Sequence, residues 1–260
     1  MDLGMPAHRA LELVEAGDLS LCYFSTSYLS ARVPEIAVLD LPYLFASPAQ
    51  ARRCLDGDLG QALSRLTAER TALKPVGYWD NGVRHLSTRV RPVKGASDLE
   101  GQRIRLQPNW AHEMYFSLLG AQPVAVDLRL GIEMIKAGSV DAQENPLANF
   151  VTYGVDRVHP HLTLSGHAFG ARGVYLSQRQ VRDWPDGVLE VAAAAVIAAV
   201  GSQRREAQEL DAVLLGRLRQ QGTNVLELDA AALEAFRQPA QTVLDQARAT
   251  LGADLLGLVR

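Results

Sequence analysis

The sequence predicts an α/β fold, and three observations carry that prediction. Between Gly101 and Pro146, strand-length apolar runs alternate with helix-length periodic runs. Each of the two helices in that stretch is closed by a glycine, Gly120 and Gly138. A single long periodic segment then opens after Pro185 and ends at Gly222. Units of strand, helix and strand carry their sites at strand C-terminal ends, which is where Arg105 and Asn145 fall.

A chain of 260 residues, 48% apolar and 21% charged, can bury a sizeable core in one large or two small domains. Its 26 basic and 29 acidic residues are dispersed and leave a net charge of -3, so no nucleic-acid surface or polybasic patch is expected. The expected partner is a small molecule. Cys22 and Cys54 make neither a disulfide framework nor a CxxC metal signature. The N-terminus shows no basic region followed by an apolar run, so no secretory signal is read in it. The apolar run Val191 to Val200 is about half the length of a membrane span.

Taken in order, residues 6–16 predict a helix with Pro6 near its start and Gly17 as its left-handed stop. Leu19 to Phe24 predicts a strand. In Ala37 to Phe45, Pro42 lacks a ladder donor and argues for a buried loop or edge. Ser47 is placed as an N-cap, Pro48 as first-turn proline and Gln50 as the closing member of a capping box, for a helical region to about Thr71 broken near Gly57. Strands follow at 73–79 and 83–90 around the turn Asp80-Asn81-Gly82.

Within the central stretch, 102–106, 122–126 and 140–143 read as strands, with Asn109 and Asp127 as helix caps. Short strands are expected at 161–165 and 173–177. The segment 188–221, if one helix, would span about 51 Å and brace two lobes. A strand at 224–228, a helix capped by Asp229, a break at Pro239 and a last helix to about Leu251 complete the chain.

No G-x-S-x-G, Walker A, H-E-x-x-H or G-x-G-x-x-G motif occurs. The glycines 166, 170 and 173 precede a strand and read as loop geometry rather than a phosphate cradle. His159 and His161, with His167 nearby, form the one grouping with metal-like spacing, without a local carboxylate or thiolate to complete it. Asp141 and Glu144 are a carboxylate pair with acid-base spacing. In RIRLQ, alternation puts Arg103 and Arg105 on one face, with Ile104 and Leu106 on the other. That face is either solvated or holds a guanidinium in a dry cleft, a two-pronged donor for a carboxylate.

Taken together, LDLPYLF (39–45), NGVR (81–84), DLEGQRIRL (98–106), LGAQPVAV (119–126), GIEMIKAGSVDAQENP (131–146) and the long helix after Trp184-Pro185 resemble the DctP-type solute-binding proteins of TRAP transporters, in the family's order and over nearly the whole chain. The resemblance implies a two-lobed periplasmic-binding-protein (venus-flytrap) fold whose long helix braces both lobes. Lobe one is expected at 1–82 plus about 171–210, and lobe two at 83–170 plus about 211–260. It implies a periplasmic protein, without cofactor or turnover, that closes on a small organic acid and hands it to TRAP membrane permease subunits. Arg105 is expected to clamp the carboxylate, Arg84 and Asn145 to line the cleft, and Ser25 to face the ligand. Trp110, beside the Arg105 strand, is a further candidate wall of the cleft or a core residue. A dicarboxylate would need a second cation, for which Arg84 is the candidate. A sensor domain of the same fold, or an enzyme using Asp141 and Glu144, are the alternatives. The chain starts at the family's D-L-G-like turn, Asp2-Leu3-Gly4, so about one βαβ unit of lobe one, roughly 30–40 residues, is expected to be missing.

Overall fold

A computed structural model describes residues 6–259, and the Asp2-Leu3-Gly4 turn lies outside the described residues. Helix α1 (Ala7–Ala16) stops at Gly17, whose φ of 87° lets its N–H close on Val14. Strand β1 (Leu21–Ser25) leads into two 3₁₀ turns, Thr26–Leu29 and Pro34–Asp40. Pro42 sits in a buried loop, as a residue without a ladder donor should. Helices α2 (Pro48–Asp56) and α3 (Asp58–Arg70) divide at Gly57. The Ser47 side chain caps α2 by accepting from the Gln50 N–H, and the Gln50 side chain reaches back to the Ala46 N–H.

Two expectations are corrected here. Residues 73–79 and 83–90 are not two strands around a turn; they form one strand, β2 (Leu73–Thr88), that runs straight through Asp80-Asn81-Gly82. Likewise 161–165 and 173–177 are parts of one strand, β6 (His161–Ser177), with the glycine cluster inside it. Long strands absorb turn-like residues when partners on both sides satisfy the backbone and irregularities in pairing take up the strain. The β2–β6 ladder shifts register between Asp80 and Gly82 and again between Arg84 and Leu86. Gly82, at φ 116°, occupies a backbone state closed to other residues.

Between these long strands lie β3 (Arg103–Leu106), α4 (Trp110–Leu118), β4 (Gln122–Ala125), α5 (Leu128–Ala137), β5 (Ala142–Pro146) and α6 (Leu147–Thr152). Asn109 and Asp127 cap α4 and α5 as expected. After β6 come α7 (Gln178–Val181), α8 (Val188–Gln220), β7 (Asn224–Glu227), α9 (Ala230–Leu251) and α10 (Ala253–Leu256). The break expected at Pro239 does not occur: α9 runs through it, since one lost hydrogen bond is outweighed by the burial of Phe236, Ala240, Val243 and Ala247.

The sheet order is β1-β6-β2-β5-β3-β4, with β7 also on β6. The βαβ stretch makes parallel pairs, β3 with β4 and β5, and every pair involving β2 is antiparallel. Strand β1 joins the last residues of β6, whereas β5 joins the last residues of β2, so the two long strands connect two parts of the molecule. Helix α8, 33 residues, lies along β2. Its Val196 and Val200 side chains stand over Gly77 at one end, and Leu214 and Leu218 enter a small apolar core with Ile135, Leu147 and Phe150 at the other. The larger core lies on the opposite face and includes Leu11, Leu39, Leu63, Ile104, Leu106, Tyr115 and Phe236.

Candidate ligand-binding site

The alternation in RIRL sets the site. Ile104 and Leu106 point into the larger core, and Arg103 and Arg105 take the other face. The two arginines then differ. Arg103 is exposed and pairs with Asp141 at 3.0 Å, whereas Arg105 is fully buried, at 0% exposure. The solvated-face reading therefore holds for Arg103 and fails for Arg105. The Arg105 Nη2 donates to the Val126 carbonyl at 2.9 Å, the Tyr28 hydroxyl lies against the guanidinium, and the buried Nε and Nη1 meet no carboxylate among the described residues. Burial lowers the pKa of this guanidinium, although Tyr28 and Glu144 favour its charge. Nε and Nη1 lie on different edges of the planar group, each beside Nη2, so a carboxylate takes a two-pronged bond on an edge that Nη2 shares.

Gly131, in the first turns of α5, lets the helix approach this side chain. A Cβ there would overlap the Arg105 Nε and lie 2.9 Å from its Cδ. Alanine normally strengthens a helix by roughly 1 kcal/mol over glycine. Gly131→Ala is instead expected to push the guanidinium out of place and weaken acid binding more than tenfold, about 1.4 kcal/mol, by calorimetry; unchanged affinity would free Arg105 from this constraint.

A row of amides continues from Arg105 along the same face. Gln143, level with Arg105 across the parallel β3–β5 pair, donates to Ser87 Oγ at 2.8 Å. Asn145 donates to Gln143 at 2.6 Å, Asn149 of α6 donates to Asn145 at 3.2 Å, and Arg172 donates to Asn149 at 3.1 Å. Asn149 also donates to Asn81 at 3.2 Å. Arg172 lies opposite Ser25 in the β1–β6 ladder, and its guanidinium stands over the Tyr23 ring at 5.4 Å. Burial raises the pKa of the Tyr153 hydroxyl, with Arg172, Arg105 and Arg84 lowering it electrostatically.

The opposite face is a second buried polar layer. Arg84, 1% exposed, forms a two-pronged pair with Glu144 through Nε to Oε2 and Nη2 to Oε1, and its Nη2 also meets the Glu144 carbonyl. His167 Nε2 lies 3.3 Å from Glu144 Oε2, and His112 Nδ1 lies 3.8 Å from Oε1. Burial acts to raise the Glu144 carboxyl, but Arg84, His112 and His167 outweigh it and hold the group below the ordinary carboxylate range. Asp40, raised by burial, accepts from Ser27 at 2.8 Å and Asn109 at 2.7 Å alongside. Both His112 and His167 are lowered by burial.

The structure thus brings Arg105 and Asn145 together on one face. Arg84 lies close by but is occupied by Glu144. Ser25, at the end of β1, is 3.4 Å from Gln107 just beyond β3, which joins the two parts of the molecule beside Arg105. Trp110, the first residue of α4, packs against the larger core, on the face that Arg105 does not take. Of the other groupings, Asp141 and Glu144 are each already paired with an arginine. His159 bonds Ser87, His161 bonds Asn224, and His167 bonds Glu144 and Ser165. Among the described residues no three potential metal ligands converge, and Cys22 is a free thiol. Sequence reasoning missed Arg172, Asn149 and Tyr153. The signal for Arg172 was present: a lone charge inside the strand-like run GARGVYL, the same signal that marked Arg105.

Comparison with known proteins gives one answer. The family DctP, described as bacterial extracellular solute-binding protein, family 7, matches residues 3–250. A solved TRAP periplasmic solute-binding protein from Sulfurospirillum deleyianum, with bound succinate, is 26% identical; the match covers 99% of this chain and 84% of that one at a TM-score of 0.93. One from Polaromonas sp. JS666, bound to D-erythronate, is 27% identical with the same coverage and a TM-score of 0.93. The C4-dicarboxylate-binding protein DctB of Bacillus subtilis is 33% identical over 159 residues, 61% of this chain and 45% of that protein. The chain spans about half the length or less of curated relatives it matches, 48%, 38% and 45% of three of them. No described helix is long and apolar enough to cross a membrane.

Proposed function

The chain belongs to the DctP family of bacterial extracellular solute-binding proteins, and we propose that it binds a small organic acid through the Arg105 guanidinium and delivers it to the membrane permease of a TRAP transporter. The observation that carries this reading is a fully buried Arg105 whose Nε and Nη1 meet no carboxylate among the described residues. A buried donor left unmatched costs about 1–3 kcal/mol, and a ligand carboxylate removes that cost on entering. The acids bound in the two similar structures, succinate and D-erythronate, both carry such a group. Binding proceeds without turnover: the carboxylates with acid-base spacing, Glu144 and Asp141, are already held as ions by Arg84 and Arg103. The acid's charge is met by Arg105 in a site of low local dielectric, which strengthens the contact.

In this reading the lobes are 1–82 with about 171–210 and 83–170 with about 211–260. Closure bends β2 and β6 near Gly82 and Gly170, where their pairing is irregular. The site of action is the periplasm, in keeping with the family's extracellular role. The test is a thermal-shift screen of organic acids followed by calorimetry on the hits. At least one acid is expected to raise the unfolding midpoint in a concentration-dependent way, as mass action requires. A panel of dicarboxylates, keto acids and sugar acids that leaves the midpoint unmoved would refute the reading.

A further inference from the structure

A cation beyond Arg105 faces the site, and it is not Arg84. The Arg84 charge is cancelled by Glu144 in a two-pronged buried pair, so it has no net charge to offer a ligand. Arg172 is different. Its single side-chain hydrogen bond runs to a neutral amide, Asn149, and its other neighbour is the face of Tyr23, so no carboxylate neutralises it among the described residues. It is placed in the site by two features. It lies level with Ser25 at the end of β1, and it heads the row of amides that leads through Asn149 to Asn145. The face therefore presents two unneutralised guanidinia, one on β3 and one on β6, with neutral amides and phenols between them.

We propose that Arg172 is a second anchor that selects acids carrying two anionic ends, a dicarboxylate or a sugar diacid, over acids carrying one. The inference rests on the Arg105 reading above, because the first carboxylate is the one Arg105 holds. The charge count gives the reason: a monoacid leaves one of two guanidinia without an opposite charge as the site dries, whereas a diacid matches both. The Tyr23 ring and Asn149 hold the Arg172 plane, so the second anion meets a fixed fork rather than a mobile charge.

The experiment is calorimetry with matched pairs that differ only at one end: succinate and succinamate, glutarate and glutaramate, galactarate and galactonate. The native chain is expected to prefer the diacid of its best pair by more than tenfold. Arg172→Gln is expected to weaken that diacid about thirtyfold or more, the usual effect of removing one partner of a buried charge pair, and the monoacid by less than about threefold. Arg172→Lys should keep part of the preference, since it keeps the charge and loses the fork. Equal affinities within every pair, or a preference that survives in Arg172→Gln, would overturn the proposal and leave the organic-acid reading standing. No binding of either member of any pair would overturn both.

Discussion

Arg105→Met is expected to weaken acid binding about thirtyfold or more while leaving the empty protein as stable as before, or more so. The two effects have opposite signs for one reason. In the empty protein the Arg105 guanidinium is fully buried without a carboxylate partner among the described residues, so replacing it with an apolar side chain of similar length removes a desolvation cost. In the complex the same guanidinium is the partner of the ligand's carboxylate, and its loss should cost at least ~2 kcal/mol, or about thirtyfold in affinity. Arg105→Lys should also bind poorly, because an ammonium cannot reproduce a fork held by Val126 on one side. Calorimetry and thermal unfolding on the same preparations decide it. A variant that binds acids normally would remove Arg105 from the site; one that loses binding only because it unfolds would show a lowered midpoint without ligand.

Glu144→Gln should have the larger effect on stability. Arg84 and Glu144 are 1% and 0% exposed, and removing the carboxylate leaves a buried guanidinium near His112 and His167 with no carboxylate in salt-bridge contact among the described residues. Breaking a buried pair from one side costs about 3–5 kcal/mol, or roughly 10 °C in the unfolding midpoint. Replacing both partners, as Arg84→Met with Glu144→Gln, should recover much of that loss. The pH dependence follows from the lowered Glu144 carboxyl. Its stabilisation is fully present above the ordinary glutamate range and is lost as pH falls through the depressed folded value, and Glu144→Gln removes this part of the acid sensitivity. A midpoint within about 2 °C of the native chain at pH 7 would mean that the pair contributes little, below about 1 kcal/mol.

Much of this was legible in the sequence, and the limits have physical causes. Strand β3 was readable because four residues with period two separate Ile104 and Leu106 from Arg103 and Arg105. Their different fates were not readable, because burial depends on α5 crossing at Gly131 beside one arginine and not the other. The Arg84–Glu144 pair was hidden for a similar reason: it joins residues 60 apart that meet only through the antiparallel β2–β5 ladder. The glycines of β6 and the Asp80-Asn81-Gly82 segment looked like turns because local preference favours turns there. Pairing along both long strands overrode that preference. Pro239 misled in the same way, since a helix with enough buried side chains tolerates one missing donor.

The row of amides has a further consequence for what the site can accept. Each member takes a bond on its oxygen and gives one from its nitrogen, in a single sense from Arg172 through Asn149, Asn145 and Gln143 to Ser87. Turning any one amide over would set oxygen against oxygen on one side and nitrogen against nitrogen on the other. The floor between the two guanidinia is thus handed, with its lone pairs and protons in fixed order. A ligand hydroxyl must orient itself to suit that order, because the protein has no second arrangement to offer.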